Sequence, residues 1–183
     1  MGDKEMFIGM VKEHIKRDGV DKLLAYLEKS DFYTAPASTR YHHSREGGLC
    51  EHSIEVFKNL VSEPRLKDVP METKAIVGLF HDFCKIGYYE VSSRNTKDEN
   101  GKWIQVPYYT VNDLLPYGHG EKSVLLASEF IKLTLEEKMA IRWHMGGYEP
   151  KEHYNYLSKA YEEFPLAMEL HFADMRSSYG KER

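Results

Sequence analysis

A histidine and an aspartate stand side by side, His81-Asp82, at the end of the apolar or small run Ala75-Ile76-Val77-Gly78-Leu79-Phe80. Both side chains are costly to bury without partners. A divalent metal would satisfy them together, because imidazole nitrogen and carboxylate oxygen suit Mn, Fe, Co, Ni or Zn. For the pair taken alone, the alternative is a hydrogen-bonded histidine capping a helix end. Four other segments place histidine or aspartate at comparable points. They are Gly47-Gly48-Leu49-Cys50-Glu51-His52-Ser53, His119-Gly120-Glu121-Lys122-Ser123, Ile141-Arg142-Trp143-His144 and His171-Phe172-Ala173-Asp174. Helical bundles build metal sites in this way, with one or two ligands from each facing helix.

Those residues need helices to carry them. Residues 3–17 and 20–29 are expected as two short helices broken at Asp18-Gly19, and 30–46 as a loop that Gly47-Gly48 ends. Helical spacing of Ile54, Phe57 and Leu60 predicts a helix over 49–62. A second, strongly apolar one over 71–86 is expected at the centre of the molecule. The β-prone runs Tyr88–Val91 and Trp103–Val106 flank Asp98-Glu99-Asn100-Gly101, which predicts a β-hairpin at about 87–111. Helices are expected again over 119–131, 135–145, 151–162 and 165–179, the second opened by Thr134 and Glu137 in capping-box spacing. The expected class is all-α, one domain over 1–183 with one inserted hairpin.

In this setting the sequence resembles the HD-domain metal-dependent phosphohydrolases. Their pattern is a histidine, an adjacent His-Asp pair and a distant aspartate on a helical core, matched in order by His52, His81, Asp82 and Asp174. The local strings "GGLCEHS", "HDFCKIG" and "ADMRSS" match as well, and the resemblance covers about 42–178. The segment "APASTRYHHSREGGLCEH" is most similar to the HD domains of certain bacterial 3′-to-5′ exoribonucleases and their stand-alone relatives. The resemblance implies an HD-type helical bundle that binds one or two divalent metals (Mn, Fe, Mg, Co, Ni or Zn). His52, His81, Asp82 and Asp174 would hold the first ion. Asp82 would bridge to a second held by His119 and His144, the positions where two-metal members add histidines. Such a pair activates water and clamps a phosphoryl centre.

Lys85 follows Asp82 by three residues and His81 by four, so on a continuous helix it shares their face. There it could neutralise charge on a phosphoryl group; the alternative is a helix-terminal lysine in solvent. His42, His43 and Arg45 lie in the loop before the first ligand helix and could contact substrate phosphate, or be solvated loop residues. Arg142 and Lys122 are weaker candidates of the same kind. His171, three residues before Asp174, could orient the site or simply pack, while His14 and His153 are read as surface residues. Cys50 and Cys84 are read as small buried hydrophobes rather than ligands. Tyr88, Tyr89, Trp103, Tyr108, Tyr109 and Tyr117 of the hairpin region could stack a nucleobase or form a lid. They could equally cover core surface or a subunit contact.

Composition narrows the partners. A net charge of −4 spread over 183 residues gives no overall field for nucleic acid, although bound metal would attract phosphate locally. No stable nucleic-acid partner is expected, and a homo-oligomer is compatible with the composition. With no spanning apolar run, no signal-peptide pattern and two scattered cysteines, a cytoplasmic location is expected. The leading expectation is hydrolysis of a phosphate mono- or diester of a nucleotide or short oligonucleotide. The competing readings are a di-iron oxygenase of the same fold and a non-catalytic nucleotide-binding regulatory domain.

Overall fold

Proline and glycine divide the chain into short helices, and the computed structural model, which describes residues 2–40 and 43–180, shows eight α-helices and one two-stranded ribbon among them. The helices are α1 (Asp3–His14), α2 (Val20–Lys29), α3 (Gly48–Ser62), α4 (Met71–Phe80), α5 (His119–Ser128), α6 (Leu135–Trp143), α7 (Tyr154–Glu163) and α8 (Pro165–Tyr179). Between α4 and α5 stands the hairpin of β1 (Tyr89–Lys97) and β2 (Trp103–Val111). The helix α3 packs on α4 and α8, and α6 packs on α5 and α8. The faces so joined are the ones that carry the candidate ligands.

Local chemistry explains the boundaries. At α6 the capping box forms: Glu137 N donates to Thr134 Oγ1 at 3.2 Å, and Thr134 N donates to Glu137 Oε2 at 2.8 Å. Pro165 opens α8. In the hairpin, Tyr89 pairs with Val111 and Lys97 with Trp103, and the Asp98 carboxylate accepts from Asn100 N and Lys102 N in the turn. The last residue of α1 is His14, three residues short of the expected end, and α6 stops at Trp143 rather than 145.

The expected continuous helix over 71–86 is the main correction. After Phe80 the α-helical ladder is abandoned, and Phe83–Lys85 forms a single 3-10 turn. Competing partners cause the change. Cys84 N donates to the Ser123 hydroxyl of α5 at 3.0 Å, and Lys85 N donates to the Asp82 carbonyl at 2.9 Å. The turn redirects the chain just at the His-Asp pair. Residues 151–162 differ in the same way, beginning with a 3-10 turn at Lys151–His153 before α7.

One apolar core runs through the helices, from Phe7 and Leu23 to Leu166 and Leu170. Its aromatic heart is Phe7, Phe32, Phe80 and Phe83, with Phe80 and Phe83 rings 4.7 Å apart. Burial of Thr73 through Phe80 makes α4 the central helix. It approaches α3 closely at Gly78, where an added Cβ would stand 2.7 Å from the Phe57 Cα. Among the described residues no helix is long and apolar enough to cross a membrane.

Candidate metal centre

His81 and His144 are positioned by the same device. Each caps the C-terminal end of its helix, α4 or α6, where backbone carbonyls have no helical partner. His81 Nδ1 donates to the Gly78 carbonyl at 2.9 Å, and His144 Nδ1 donates to the Ile141 carbonyl at 2.6 Å. A carbonyl can only accept, so Nδ1 carries a hydrogen, and whenever the ring is neutral the lone pair is at Nε2. His52, one turn into α3, reaches the same state through α8. The Ser177 hydroxyl donates to Glu55 Oε2 at 2.9 Å and therefore accepts from His52 Nδ1, also at 2.9 Å. Three imidazole lone pairs are thus aimed by their second nitrogens.

They converge on two carboxylates. His52 Nε2 lies 3.3 Å from His81 Nε2 and 3.1 Å from Asp174 Oδ1. Asp82 divides its oxygens between two sets of rings. Its Oδ2 stands 3.5 Å from both His52 and His81 Nε2, and its Oδ1 stands 2.9 Å from His119 Nε2 and 3.6 Å from His144 Nε2. The side chains of His52, His81 and His144 are fully buried, and Asp82 nearly so.

This arrangement fits a divalent cation. With both rings neutral and protonated at Nδ1, two lone pairs would face each other across 3.3 Å, and His144 Nε2 is buried without a hydrogen-bond partner. A cation at the focus corrects both. Three overlapping groups have ligand atoms within 4.8 Å of one another: His52, His81 and Asp174; His81, Asp82 and His144; Asp82, Cys84 and His119. These buried groups could hold a metal ion, and protons compete for the same lone pairs. Burial lowers the His52 pKa, whereas at His81 the cost of burial is outweighed by Asp82, Asp174 and the Gly78 carbonyl, which raise it.

The carboxylates are held ionised. Burial opposes the charge on Asp82, but Lys85, His81, His119 and His144 together keep its carboxyl well below the usual range. Asp174 is lowered likewise, burial being outweighed by His52 and His81. Lys85 Nζ lies 2.6 Å from Asp82 Oδ2, and Asp82 keeps the ammonium charged against the opposing effect of burial. The 3-10 turn replaces the helical i,i+3 geometry yet still delivers this contact.

A cleft of about 330 Å³ opens over Asp82, His119, Asp174 and Lys85. Tyr88, Tyr89, Tyr148 and Tyr179 line it, together with Met145 and Met175. The Tyr89 hydroxyl donates to the Ala37 carbonyl at 3.1 Å and ties the hairpin base to the loop after α2. The space is at the small end of the range of ligand-binding clefts.

Among the expected site residues, His52, His81, Asp82, His119, His144 and Asp174 stand together with Lys85, and of these Asp82, Lys85, His119 and Asp174 line the cleft. His43 is placed differently from the expected phosphate contact. Its ring is buried between Glu51, 2.7 Å from Nδ1, and Glu55, 3.1 Å from Nε2, behind His52. Arg45 is exposed and bonds to Glu51. Arg142 is also placed differently: it pairs with Glu121 at 2.6 Å and Glu149 at 2.9 Å and lies over the Trp143 ring, outside the cleft lining. Lys122 is buried, bound to Asp113 at 2.5 Å over the Tyr88 ring. His42 lies outside the described residues.

His171 Nδ1 donates to the His144 carbonyl at 2.8 Å and so holds a ligand's backbone rather than Asp174. His14 packs on Phe57, and His153 meets Glu149 at 3.3 Å and the edge of Trp143, so neither is a solitary surface residue. Cys84, expected to be only a packed hydrophobe, has its sulfur 3.4 Å from both ring nitrogens of His119. Burial pushes its thiol pKa up, which keeps the sulfur neutral. Sequence reasoning missed Glu55 and Ser177, whose roles arise from contacts between distant segments and carry no local signal. It also missed the cleft residues Tyr148 and Tyr179, exposed aromatics on a short turn and a helix end. No family model, no curated protein and no solved structure matches this chain.

Proposed function

We propose that the chain is a metal-dependent phosphohydrolase of the HD-domain type, acting on a phosphate mono- or diester of a nucleotide or short oligonucleotide. The observation that carries this reading is the convergence of six ligand residues and one buried ammonium at an aromatic cleft. His52, His81, Asp174 and Asp82 Oδ2 would hold one ion; Asp82 Oδ1, His119 and His144 would hold a second. When bound, divalent ions supply Lewis acidity and bring the pKa of a water ligand toward neutrality.

The chain's own groups supply the rest. Lys85 lines the cleft with a positive charge suited to the non-bridging oxygens of a phosphoryl group. The tyrosines and methionines offer flat and adaptable apolar walls for a nucleoside and exclude water from the floor. The buttressing of each imidazole through Nδ1 keeps the lone pairs aimed when substrate enters. Lys85 also favours phosphate chemistry over the di-iron oxygenase reading, since an ammonium suits a phosphoryl oxygen better than dioxygen.

Elemental analysis of the purified chain, paired with a hydrolysis screen on bis-p-nitrophenyl phosphate and nucleotides with Mn, Mg, Co and Ni, tests the reading. About two metals per chain and metal-dependent phosphate release are expected, and Asp82→Ala should lose both. Unchanged hydrolysis in Asp82→Ala would sink the site assignment. Bound iron with oxygen-dependent turnover and no hydrolysis would support the oxygenase instead.

A further inference from the structure

A second cleft, of about 520 Å³, lies beside the first along the hairpin. The two share Thr39 as a lining residue, and Tyr89 of the first and Tyr109 of the second have rings 6.5 Å apart. Arg40, Ser44, Arg94, Tyr108 and Tyr109 also line the second cleft, and among the described residues its lining includes two arginines and no carboxylate. In a chain of net charge −4 that local balance is opposite to the whole. Neither arginine has a carboxylate partner among the described residues; Arg94 lies over the Tyr108 ring at 5.5 Å, and Arg40 is exposed. Register places Tyr108 and Tyr109 on opposite faces of the ribbon, so both faces contribute to the cleft. Unpaired guanidinium groups, hydroxyls and aromatic rings in one groove are the chemistry that holds a phosphate and the base beside it.

We propose that this second cleft binds the nucleotide next to the one held over the metal centre, so that the substrate is a single-stranded phosphodiester of at least two nucleotides. The proposal rests on the phosphohydrolase reading for the role of the first cleft, but not for binding at the second. Arg40 and Arg94 hold the neighbouring phosphate. The ring of Tyr109, on the ribbon face it shares with Tyr89, offers a stacking surface to its base. Thr39, common to both clefts, marks the passage between them.

The test uses the full chain and Arg40→Ala/Arg94→Ala, a double variant at two exposed positions away from the ligands. Binding of a fluorescein-labelled, 5′-phosphorylated triadenylate is followed by anisotropy in EDTA, with AMP and ATP as competitors. Hydrolysis of the same trinucleotide and of the p-nitrophenyl ester of AMP is then followed with Mn. The double variant is expected to bind and cleave the trinucleotide at least tenfold less well, through KM, with hydrolysis of the AMP ester unchanged. Equal trinucleotide binding by the two proteins overturns the proposal, as does an equal loss on both substrates. ATP competing as well as the unlabelled trinucleotide, with the same arginine dependence, overturns the assignment in favour of a polyphosphate chain. Arginine-dependent binding with no hydrolysis under any metal leaves the second cleft standing and defeats the hydrolase reading instead.

Discussion

Asp82 spreads its two oxygens over four imidazoles, Oδ2 towards His52 and His81 and Oδ1 towards His119 and His144. It was legible as a special residue because an aspartate directly after six small or apolar residues must find partners once buried. His119, His144 and Asp174 were singled out with roles only through a resemblance, since a lone histidine at a helix end is ordinary chemistry. Ser177 and Glu55 were not legible at all. Ser177 meets His52 across 125 residues of chain and Glu55 across 122, contacts made only by the packing of α3 on α8. Ser177→Ala tests that relay. It removes the acceptor for His52 Nδ1 and is expected to weaken metal affinity about 10- to 100-fold, measured by competition with a chromophoric chelator. A variant with reduced thermal stability but full affinity would show that Ser177 only packs.

Elements fix how far apart those residues can stand, and α3 against α4 is the decisive pair because it carries His52 and His81. The boundaries with strong chemical punctuation, the capping box at Thr134 and the proline at 165, are the ones legible from sequence. The end of α4 was not. Its termination depends on Ser123 of α5 capturing Cys84 N, a contact no local pattern records. Gly78 gives a prediction whose sign separates two effects. Helix propensity alone makes Gly→Ala stabilising by about 1 kcal/mol. A Cβ here would stand 2.7 Å from the Phe57 backbone, so Gly78→Ala is expected to destabilise by about 1–3 kcal/mol in urea unfolding. A gain in stability would mean that α3 and α4 are not in the close contact described.

Across the whole molecule, the N-terminal helices are tied to the ligand helices by one buried carboxylate. Arg17, between α1 and α2, forms a bidentate pair with Glu137 of α6, both contacts at 2.6 Å, while Thr73 Oγ1 donates to Glu137 Oε1 at 2.9 Å. Burial opposes ionisation of Glu137, but Arg17, Thr134 and Thr73 outweigh it and lower its pKa from the ordinary 4.5. A carboxyl lowered on folding stabilises fully above its unfolded pKa, and that stability is lost as pH falls through the folded value. Glu137→Gln is therefore expected to cost about 2 kcal/mol at neutral pH. The gap in thermal midpoint between wild type and variant should narrow as pH drops below 4.5. A gap that stays constant down to low pH would contradict the lowered pKa. Nothing in the sequence pointed to this tie, because Arg17 was expected inside a helix and Glu137 as half of a capping box.

The hairpin stands in the chain between Asp82 and His119, two residues whose side chains touch. It closes on itself at its base, where Tyr89 pairs with Val111 and Asn112 N donates to the Tyr88 carbonyl at 2.9 Å. Only residues 83–88 and 112–118 then connect the ligands to that closed base, and the entropic cost of bringing Asp82 to His119 hardly depends on what lies beyond it. The ribbon is in this sense a replaceable attachment. An engineer could lengthen it, trim it or exchange its residues while the side chains gathered at Asp82 and His119 keep their places.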